Sequence, residues 1–394
     1  MRTNIENDRV IVFSEGRIDS TNAAAFGKEL EEIAAANPGR ELVIDAEELE
    51  YISSAGLRVL LQLLKKQNDQ LEVRNVTLEV YEIMDMTGFT DLMQVTKRLR
   101  KFSVEDCEEI GRGAVGTVYR VDDDTIVKVY EEPDCLPMIE NEQKRAKQAF
   151  LKGIPTAISY DVVKVGDKYG SVFELLRAKT FNDLIIEQPE NREAIVQRYV
   201  RFIRNIHEVE AERGELPDAR NVFLDYLAQM KDLLGEALYA RLRELFAAMD
   251  ENLHIVHGDL QMKNVMLSGD EPLLIDMDTL SVGDPVFDLM GLCVTYRLYN
   301  EDEPENAMSF LGITVEMADY IWQNTLTGYF EGMDAAQIAQ AEDRIRLVAN
   351  VRFLHLVGIL GITKPELKQI RVDHALAHLR ELIERVDRLA VGRE

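Results

Sequence analysis

The stretch that decides the fold comes in three pieces: His257-Gly-Asp259-Leu-Gln-Met-Lys-Asn264, Leu274-Ile-Asp276-Met-Asp278 and Gly283-Asp284-Pro-Val-Phe-Asp288. Asp259 can accept a hydrogen bond from an attacking hydroxyl group and orient that group. Asn264 and Asp276 offer the hard oxygen ligands that magnesium prefers, and magnesium offsets the charge on a phosphate in transfer. Three unrelated acidic loops are the simplest alternative. The order and spacing of the pieces favour a phosphate-transfer site instead.

A glycine-rich segment upstream reads Gly111-Arg-Gly113-Ala-Val-Gly116 and lies between two strand-like segments. That position favours a loop that covers phosphates over the strand-to-helix turn of dinucleotide-binding proteins. Because glycine has no Cβ atom, backbone N–H groups can approach phosphate oxygens closely. Taken alone, the segment could also be an ordinary glycine turn in a hairpin.

Lys128 is the one cation in the apolar strand Thr125–Tyr130. It is suited to pairing the α- and β-phosphates of a nucleotide, although a lysine on an edge strand also protects against aggregation. A carboxylate on the next helix should hold Lys128 in place. Glu142 and Glu140 are the candidates, and we favour Glu142 for its distance from the following Gly153-Ile-Pro155.

The wider pattern indicates a β-rich lobe followed by a helical lobe, since the chain beyond Asn182 is mostly helical apart from His254–Asp288. Residues from about 104 to 390 resemble the aminoglycoside-phosphotransferase and choline-kinase-like group, whose catalytic loop carries HGD where protein kinases carry HRD. The resemblance implies an α+β bilobal protein-kinase-like fold with ATP and magnesium as cofactors.

The same resemblance assigns roles to individual residues. It implies Asp259 as the catalytic base and Lys128 as the phosphate anchor. Asn264 and Asp276 become metal ligands, and Phe173-Glu174-Leu175 becomes the hinge that receives adenine. Structural support of the catalytic loop is implied for three further residues: His257, Asp284 and Asp288.

Two departures from protein kinases concern the acceptor. Gly258 replaces the usual arginine, and the interval from Asp278 to Gly283 leaves no room for an activation loop or a peptide platform. Both indicate a small-molecule acceptor. The acidic run Glu301–Glu305 is expected to be a solvated loop, with contact to a cationic substrate as the alternative. The histidines at positions 207, 355, 374 and 378 are expected to be packing or surface residues.

The first hundred residues alternate short strands and amphipathic helices, which is the pattern of an α/β sheet domain. Val10–Phe13 and Glu15–Ile18 are expected to form a strand pair. A buried strand over Glu41–Asp45 and a helix over Ser54–Lys66 follow.

The segment Tyr51-Ile-Ser53-Ser54-Ala-Gly56-Leu57 stands at a strand-to-helix turn. Residues from about 5 to 100 resemble a STAS domain, the fold of anti-sigma-factor antagonists, in which a serine at this turn is phosphorylated to switch partner binding. Matching Gly56 and Leu57 to that motif puts Ser54 at the phosphorylated position. Ser53 then stands where an acidic residue is common, and either serine could simply cap the helix.

The sequence therefore predicts a STAS-like regulatory domain over residues 1–100, a kinase-like N-lobe over 101–178 and a helical C-lobe over 179–394. Lys97–Lys101 is a short basic connector. The formal net charge of −26 argues against nucleic acid and anionic lipid as partners. With no secretory signal, no membrane-spanning run and three scattered cysteines, we expect a cytoplasmic protein.

The leading hypothesis is an ATP- and magnesium-dependent phosphotransferase of a small-molecule hydroxyl, with a STAS domain that regulates it or binds a protein partner. An alternative is a signalling switch in which the STAS domain binds a partner and is phosphorylated near Ser54. A nucleotide-sensing pseudokinase is a third reading, which the intact Lys128, Asp259, Asn264 and Asp276 disfavour. The sequence does not name the acceptor.

Overall fold

The computed structural model describes residues 1–67, 70–112, 116–132, 135–176 and 178–392. Their contacts separate into two compact units: Met1–Ser103 with Val162–Asp167, and Val104–Asp161 with Lys168–Glu394. Each unit has a hydrophobic core of its own. Within the described ranges, the helices are all too short or too polar to cross a membrane.

The first unit is built on a sheet whose strands follow one another in chain order. The first pair is antiparallel and the next three pairs are parallel, with α-helices as the connections. The strands are β1 Arg2–Glu6, β2 Arg9–Ile18, β3 Glu41–Ile52, β4 Glu72–Val76 and β5 Gln94–Lys97, followed by the short β6 Arg100–Lys101. The helices are α1 Ala23–Ala36, α2 Ser54–Lys66, α3 Leu78–Met86 and α4 Phe89–Leu92.

The expected strand pair between Val10–Phe13 and Glu15–Ile18 is wrong. Both segments lie in β2, whose register against β3 shifts next to Glu15 and again after Gly16. Gly16 has a φ of +68°, and the irregularity it allows is a bulge within one strand, where the sequence suggested a turn. The hairpin partner of β2 is β1, whose residues are all exposed and therefore carry no apolar pattern.

The second unit begins with an antiparallel sheet in the order β11-β9-β8-β7. Val127, Val129 and Val172 of this sheet are buried, as is Ile139 of the helix that follows β9. The elements are β7 Glu108–Arg112, β8 Gly116–Arg120, β9 Thr125–Tyr130, α5 Leu136–Leu151 and β11 Lys168–Glu174. Strand β10, Asp161–Val165, lies between α5 and β11 in the sequence but belongs to the first unit from Val162 onward.

The basic connector is partly a strand. Arg100 and Lys101 of β6 pair in parallel with Val163 and Lys164 of β10. Lys101 also forms an ion pair with Glu47 at 3.2 Å. These contacts hold the connector within the first unit.

The rest of the second unit is mainly helical. Its short strands form the sheets β12-β14-β15 and β13-β16: β12 Lys179–Thr180, β13 Ile255–Val256, β14 Val265–Ser268, β15 Glu271–Leu274 and β16 Ser281–Val282. The helices are α6 Phe181–Glu187, α7 Arg192–Ile206, α8 Ala219–Gln229, α9 Lys231–Leu234, α10 Glu236–Ala247, α11 Val286–Cys293, α12 Tyr299–Glu301, α13 Val315–Tyr329, α14 Ala335–Leu354 and α15 Lys368–Leu382. The predicted fold class, an α/β domain followed by a kinase-like α+β fold, is confirmed.

Candidate active site

A cleft of about 740 Å³ in the second unit collects half of the predicted site residues. Its lining includes Gly116, Lys128, Glu142, Glu174, Leu175, Asp259 and Asp276. Gly111, Asn264, His257, Asp284 and Asp288 do not line it. Gly113 lies outside the described residues, and Ser54 belongs to the first unit.

The two described glycines of the glycine-rich segment differ in their surroundings. A Cβ atom on Gly116 would lie 2.4 Å from the carbonyl oxygen of Val129, so the close approach of β8 to β9 excludes any other residue there. A Cβ atom on Gly111 would meet nothing closer than 3.9 Å. Gly116 is therefore required by strand packing, whereas the fold alone does not require Gly111.

Lys128 joins the two sides of the cleft. Its Nζ lies 2.8 Å from Oδ1 of Asp276 and 3.7 Å from Oε1 of Glu142. Burial opposes the charged ammonium, but attraction by the two carboxylates outweighs it and raises the pKa of Lys128 above its ordinary value. Glu142 is buried and accepts a hydrogen bond from the Tyr130 hydroxyl at 2.8 Å, whereas Glu140 is exposed.

The hinge segment differs in detail from the expectation. The backbone N–H of Leu175 donates to the carbonyl oxygen of Asp124 at 2.8 Å, so this N–H is already used within the fold. Leu176 also lines the cleft, and its N–H donates to none of the residues that the structure describes. The available hinge donor is therefore Leu176, one residue further along than expected.

The catalytic loop holds Asp259 through Asn264 and His257. The Asn264 side-chain amide donates to the Asp259 carbonyl at 2.8 Å and to its carboxylate at 3.1 Å. Nε2 of the buried His257 donates to the carbonyl of Ile275 at 3.0 Å, which leaves Nδ1 to accept the Asp259 N–H at 3.4 Å. Asp259 itself stays half-exposed in the cleft.

Gly258 is dictated by the loop geometry. Its φ is +84°, and a Cβ atom there would lie 2.8 Å from the Thr279 carbonyl oxygen. A residue with a side chain would be strained by both the backbone angle and the contact. The HGD form of the loop therefore follows from its close packing on the turn at Thr279.

Asp288 is the brace of the catalytic loop. Its fully buried carboxylate accepts the N–H groups of His257 at 3.0 Å and Gly258 at 2.6 Å. Nε2 of His207 donates a third hydrogen bond at 2.8 Å. Burial alone would raise the pKa of Asp288, but hydrogen bonding and attraction from His207, with His257, hold it below the ordinary value.

Asp284 has a different partner from the one expected. Its carboxylate accepts the N–H groups of Val286, Val391 and Gly392 at 2.9 to 3.0 Å. It therefore fastens the end of the chain to the start of α11, and its described hydrogen bonds do not reach the catalytic loop. His207 supports the site in its place, a role that sequence reasoning missed because 81 residues separate it from Asp288.

Several carboxylates line the cleft close to Asp276, which follows the end of strand β15. Asp276 has a left-handed φ of +65°, which aspartate tolerates better than most residues. Burial, together with repulsion by Asp276 and Glu142, raises the pKa of Asp278 to about 6. No described group of three or more His, Cys, Asp or Glu side chains forms a metal cage by itself. A carboxylate excess beside the Asn264 amide nevertheless fits a hard cation that draws its other ligands from phosphate and water.

One carboxylate of the acidic run Glu301–Glu305 is paired with cations of α15 and of the segment before it. Glu303 forms ion pairs with Lys364 and, at 2.9 Å, with the buried Arg371. Asp302 contacts His374, and Glu301 contacts His378. The expectation of a solvated loop is wrong for Glu303, which is buried.

At the turn in the first unit, the two serines take different positions. Ser53 is the N-cap of α2, and its side chain accepts the Gly56 N–H at 3.4 Å. Ser54 is the first helical residue and is exposed, and its hydroxyl makes no hydrogen bond with any described residue. A Cβ atom on Gly56 would lie 2.7 Å from both Ile18 and Ile52, so this glycine is needed for close packing.

Comparison with known families follows the division into two units. Residues 106–312 match the model described as "Phosphotransferase enzyme family", and this match covers more than half of the chain. The chain therefore belongs to the phosphotransferase enzyme family. Residues 1–95 match the model described as "Mlab, STAS domain". These matches confirm the predicted STAS domain joined to an aminoglycoside-phosphotransferase-type domain.

Among solved structures, the chain is similar to a choline/ethanolamine kinase family protein from Mesorhizobium loti, with 16% identity over 71% of this chain and 88% of the other, at a TM-score of 0.45. It is similar to ADP-bound aminoglycoside phosphotransferase APH(2'')-Ib, with 13% identity, 77% and 98% coverage, and a TM-score of 0.47. It is also similar to a thermostable mutant of aminoglycoside phosphotransferase APH(4)-Ia, with 12% identity over 71% of this chain and 94% of the other, at a TM-score of 0.47. No curated protein matches the chain significantly.

Proposed function

We propose that this protein is an ATP- and magnesium-dependent phosphotransferase that acts on a hydroxyl group of a small molecule. One observation carries the proposal: Lys128 bonds Asp276 across 148 residues of sequence, in the same cleft that Asp259 lines. The proposed phosphate anchor and the proposed acceptor of the hydroxyl proton therefore line one space, and phosphoryl transfer needs the two close together.

The nucleotide is proposed to lie between the sheet and the hinge. Gly111, Gly113 and Gly116 cover its phosphates, and Lys128, held by Glu142, anchors them. The carbonyl side of Glu174 and the N–H of Leu176 face the adenine edge, and Leu175 contributes its apolar side chain. This placement is supported by the lining of the cleft, which includes Gly116, Lys128 and Glu142 together with the hinge residues from Glu174 to Leu176.

Asn264 and Asp276 are proposed to hold magnesium, which would neutralise charge on the phosphate oxygens. Asp259 accepts the hydrogen bond of the acceptor hydroxyl and takes its proton as the hydroxyl oxygen bonds to the γ-phosphorus of ATP and the bond from that phosphorus to ADP breaks. The Asn264 amide fixes the Asp259 carboxylate, and Asp288 fixes the loop that carries both. Asp259 therefore moves the proton, whereas Asn264 and Asp288 position Asp259 and its loop.

The test is an ADP-release screen over hydroxylated metabolites and aminoglycosides, repeated with Asp259→Asn. We expect the substitution to lower turnover by about a hundredfold or more while ATP binding persists, because Asp259 acts on the acceptor and not on the nucleotide. Full turnover by the Asp259→Asn variant on the same acceptor would show that the reaction does not use this residue.

For the first unit, we propose a protein partner that binds the face carrying Ser54, with phosphate on Ser54 as the switch. The supporting observation is the exposed hydroxyl of Ser54 at the N-terminus of α2, where the free N–H groups and the helix dipole favour a phosphate. Phosphate mapping by mass spectrometry after incubation with ATP, combined with partner pull-down for wild type, Ser54→Ala and Ser54→Asp, tests this role. Unmodified Ser54 and identical pull-downs would contradict it.

A further inference from the structure

A second cavity of about 250 Å³ adjoins the cleft. Arg145 of α5, Tyr226 of α8 and Arg352 of α14 line it, with Gly258 at the catalytic loop. Arg352, Asp278 and Thr279 line both this cavity and the cleft that contains Asp259. The two spaces are therefore neighbours, and a molecule at Asp259 can extend toward the second one.

The guanidinium groups of the two arginines are not paired with a carboxylate among the residues that the structure describes. Neither guanidinium group makes a hydrogen bond or an ion pair with a residue in the described part of the chain. Arg352 lies 5.2 Å from the centroid of the Tyr226 ring. Asp278 lines the same cavity but forms an ion pair with neither arginine, although its charge acts on Arg145.

Such an arrangement is costly for a protein unless a ligand completes it. Arg145 is half-buried, and burial lowers the pKa of its guanidinium group even though the charges of Asp278 and Glu142 act in the opposite direction. A guanidinium group offers five N–H donors in a fixed fork that matches a carboxylate or a phosphate. Two such groups at one cavity are suited to an oxyanion.

Glu303 of the acidic run lines neither the second cavity nor the cleft. Glu303, which could have attracted a cationic substrate, is already paired with Lys364 and Arg371. Gly258 places no side chain in the cavity, because a Cβ atom there would collide with Thr279. The charged side chains that line the second cavity are thus Arg145, Arg352 and Asp278, so cations outnumber carboxylates there, in contrast to the cleft and to the acidic chain as a whole.

We propose that Arg145 and Arg352 form an oxyanion-binding subsite and that the hydroxyl acceptor is held there through a carboxylate or phosphate group of its own. The second half of this inference rests on the proposed phosphotransferase function. It names an anionic acceptor, which differs from the cationic substrates that an acidic surface would suggest.

The experiment uses the full chain loaded with magnesium and the non-hydrolysable nucleotide AMP-PNP, so that inorganic phosphate cannot occupy the γ-phosphate position. Calorimetric titration with inorganic phosphate, and separately with malonate as a carboxylate probe, is expected to show binding. Arg145→Gln and Arg352→Gln should each weaken it by about tenfold or more, since each removes a charge-assisted pair of hydrogen bonds. Lys147→Gln, which removes an exposed charge from the same helix α5, should leave it unchanged.

The outcomes separate the two proposals. If AMP-PNP with magnesium does not bind, the proposed function fails. If it binds but neither probe does, or if the arginine variants and Lys147→Gln bind the probes equally, the oxyanion subsite is overturned. Folding of each variant is checked by the fluorescence of Trp322, the single tryptophan, and Arg352→Lys should restore part of the affinity.

The acceptor found by ADP release tests the second half. A carboxylate- or phosphate-bearing acceptor whose KM rises in Arg352→Gln, with kcat less affected, supports it. A neutral or cationic acceptor, such as an aminoglycoside, overturns it.

Discussion

The cleft of the second unit and the serine turn of the first unit illustrate two ways in which a sequence motif is placed. In the cleft, Asp276 is held by Lys128, and the loop that carries Asp259 is held by Asp288, so both depend on side chains from distant parts of the chain. At the turn, the Ser53 side chain accepts the N–H of Gly56, three residues away, and the Ser54 hydroxyl makes no hydrogen bond with a described residue. A substitution in the cleft should therefore affect stability and chemistry together, whereas a substitution at the turn should act locally.

The largest expected effect on stability is that of Asp288→Ala. Loss of the carboxylate leaves the N–H groups of His257 and Gly258 and the ring of His207 without their acceptor in a buried site. We expect the free energy of unfolding of the second unit to fall by about 3–5 kcal/mol. Trp322 is buried in the core of this unit, so its fluorescence during urea unfolding reports on the correct region.

The matched control is Asp270→Ala, which removes an exposed carboxylate of the same unit. It should change the free energy of unfolding by less than about 0.5 kcal/mol. A loss below about 1 kcal/mol for Asp288→Ala would mean that the catalytic loop does not depend on this brace.

A smaller effect, of opposite sign, is expected for Asp278→Asn without magnesium. The pKa of Asp278 is raised from 3.8 to about 6, so the folded state binds more protons than the unfolded state between these values. The stability of the wild type should therefore fall as the pH rises from about 4 to 6. The variant lacks this loss and should be more stable at pH 8 by about 1–3 kcal/mol.

Trp322 fluorescence in urea, recorded at several pH values for both proteins, measures this difference. Adding magnesium and nucleotide should reduce the difference in stability between the two proteins, because the cation offsets the repulsion among the carboxylates of the cleft. If the free energies of unfolding of the wild type and the variant changed with pH in parallel, ionised Asp278 would not destabilise the folded state as proposed.

The smallest effects are expected at the serine turn. Ser53→Ala removes the N-cap of α2 and should lower the stability of that helix by about 0.5–1 kcal/mol. Ser54→Ala should cost less, because the Ser54 hydroxyl has no described partner. Hydrogen exchange of the α2 amide groups compares the two variants, and a larger loss for Ser54→Ala would reverse the assignment of the cap.

Much of the cleft could be predicted from the sequence because its chemistry needs particular residue types at short spacings. Asp259 and Asn264 are five residues apart in one loop, and Lys128 is marked by its apolar strand. The boundaries of α2 were also predicted, since its apolar face repeats with helical spacing.

The supporting contacts could not be predicted, because no local pattern connects His207 with Asp288 or Asp284 with Val391. The exposed strand β1 and the bulge at Gly16 could not be predicted either, because neither produces an alternating apolar pattern in the sequence. Similarly, only the hydrogen bond from Leu175 to Asp124 shows which hinge N–H is already used.

The most direct test of the central claim is calorimetric titration of the full chain with ATP, with magnesium and then with EDTA, for the wild type and Lys128→Ala. Lys128 lies between Glu142 and Asp276 and is proposed to anchor the phosphates, while Asn264 and Asp276 are proposed to hold the metal. We expect the wild type to bind ATP with magnesium and to lose about tenfold or more in affinity with EDTA. Lys128→Ala should bind weakly in both conditions. Equal affinity with and without magnesium, or unchanged binding by Lys128→Ala, would contradict the assignment of this cleft as a magnesium–ATP site.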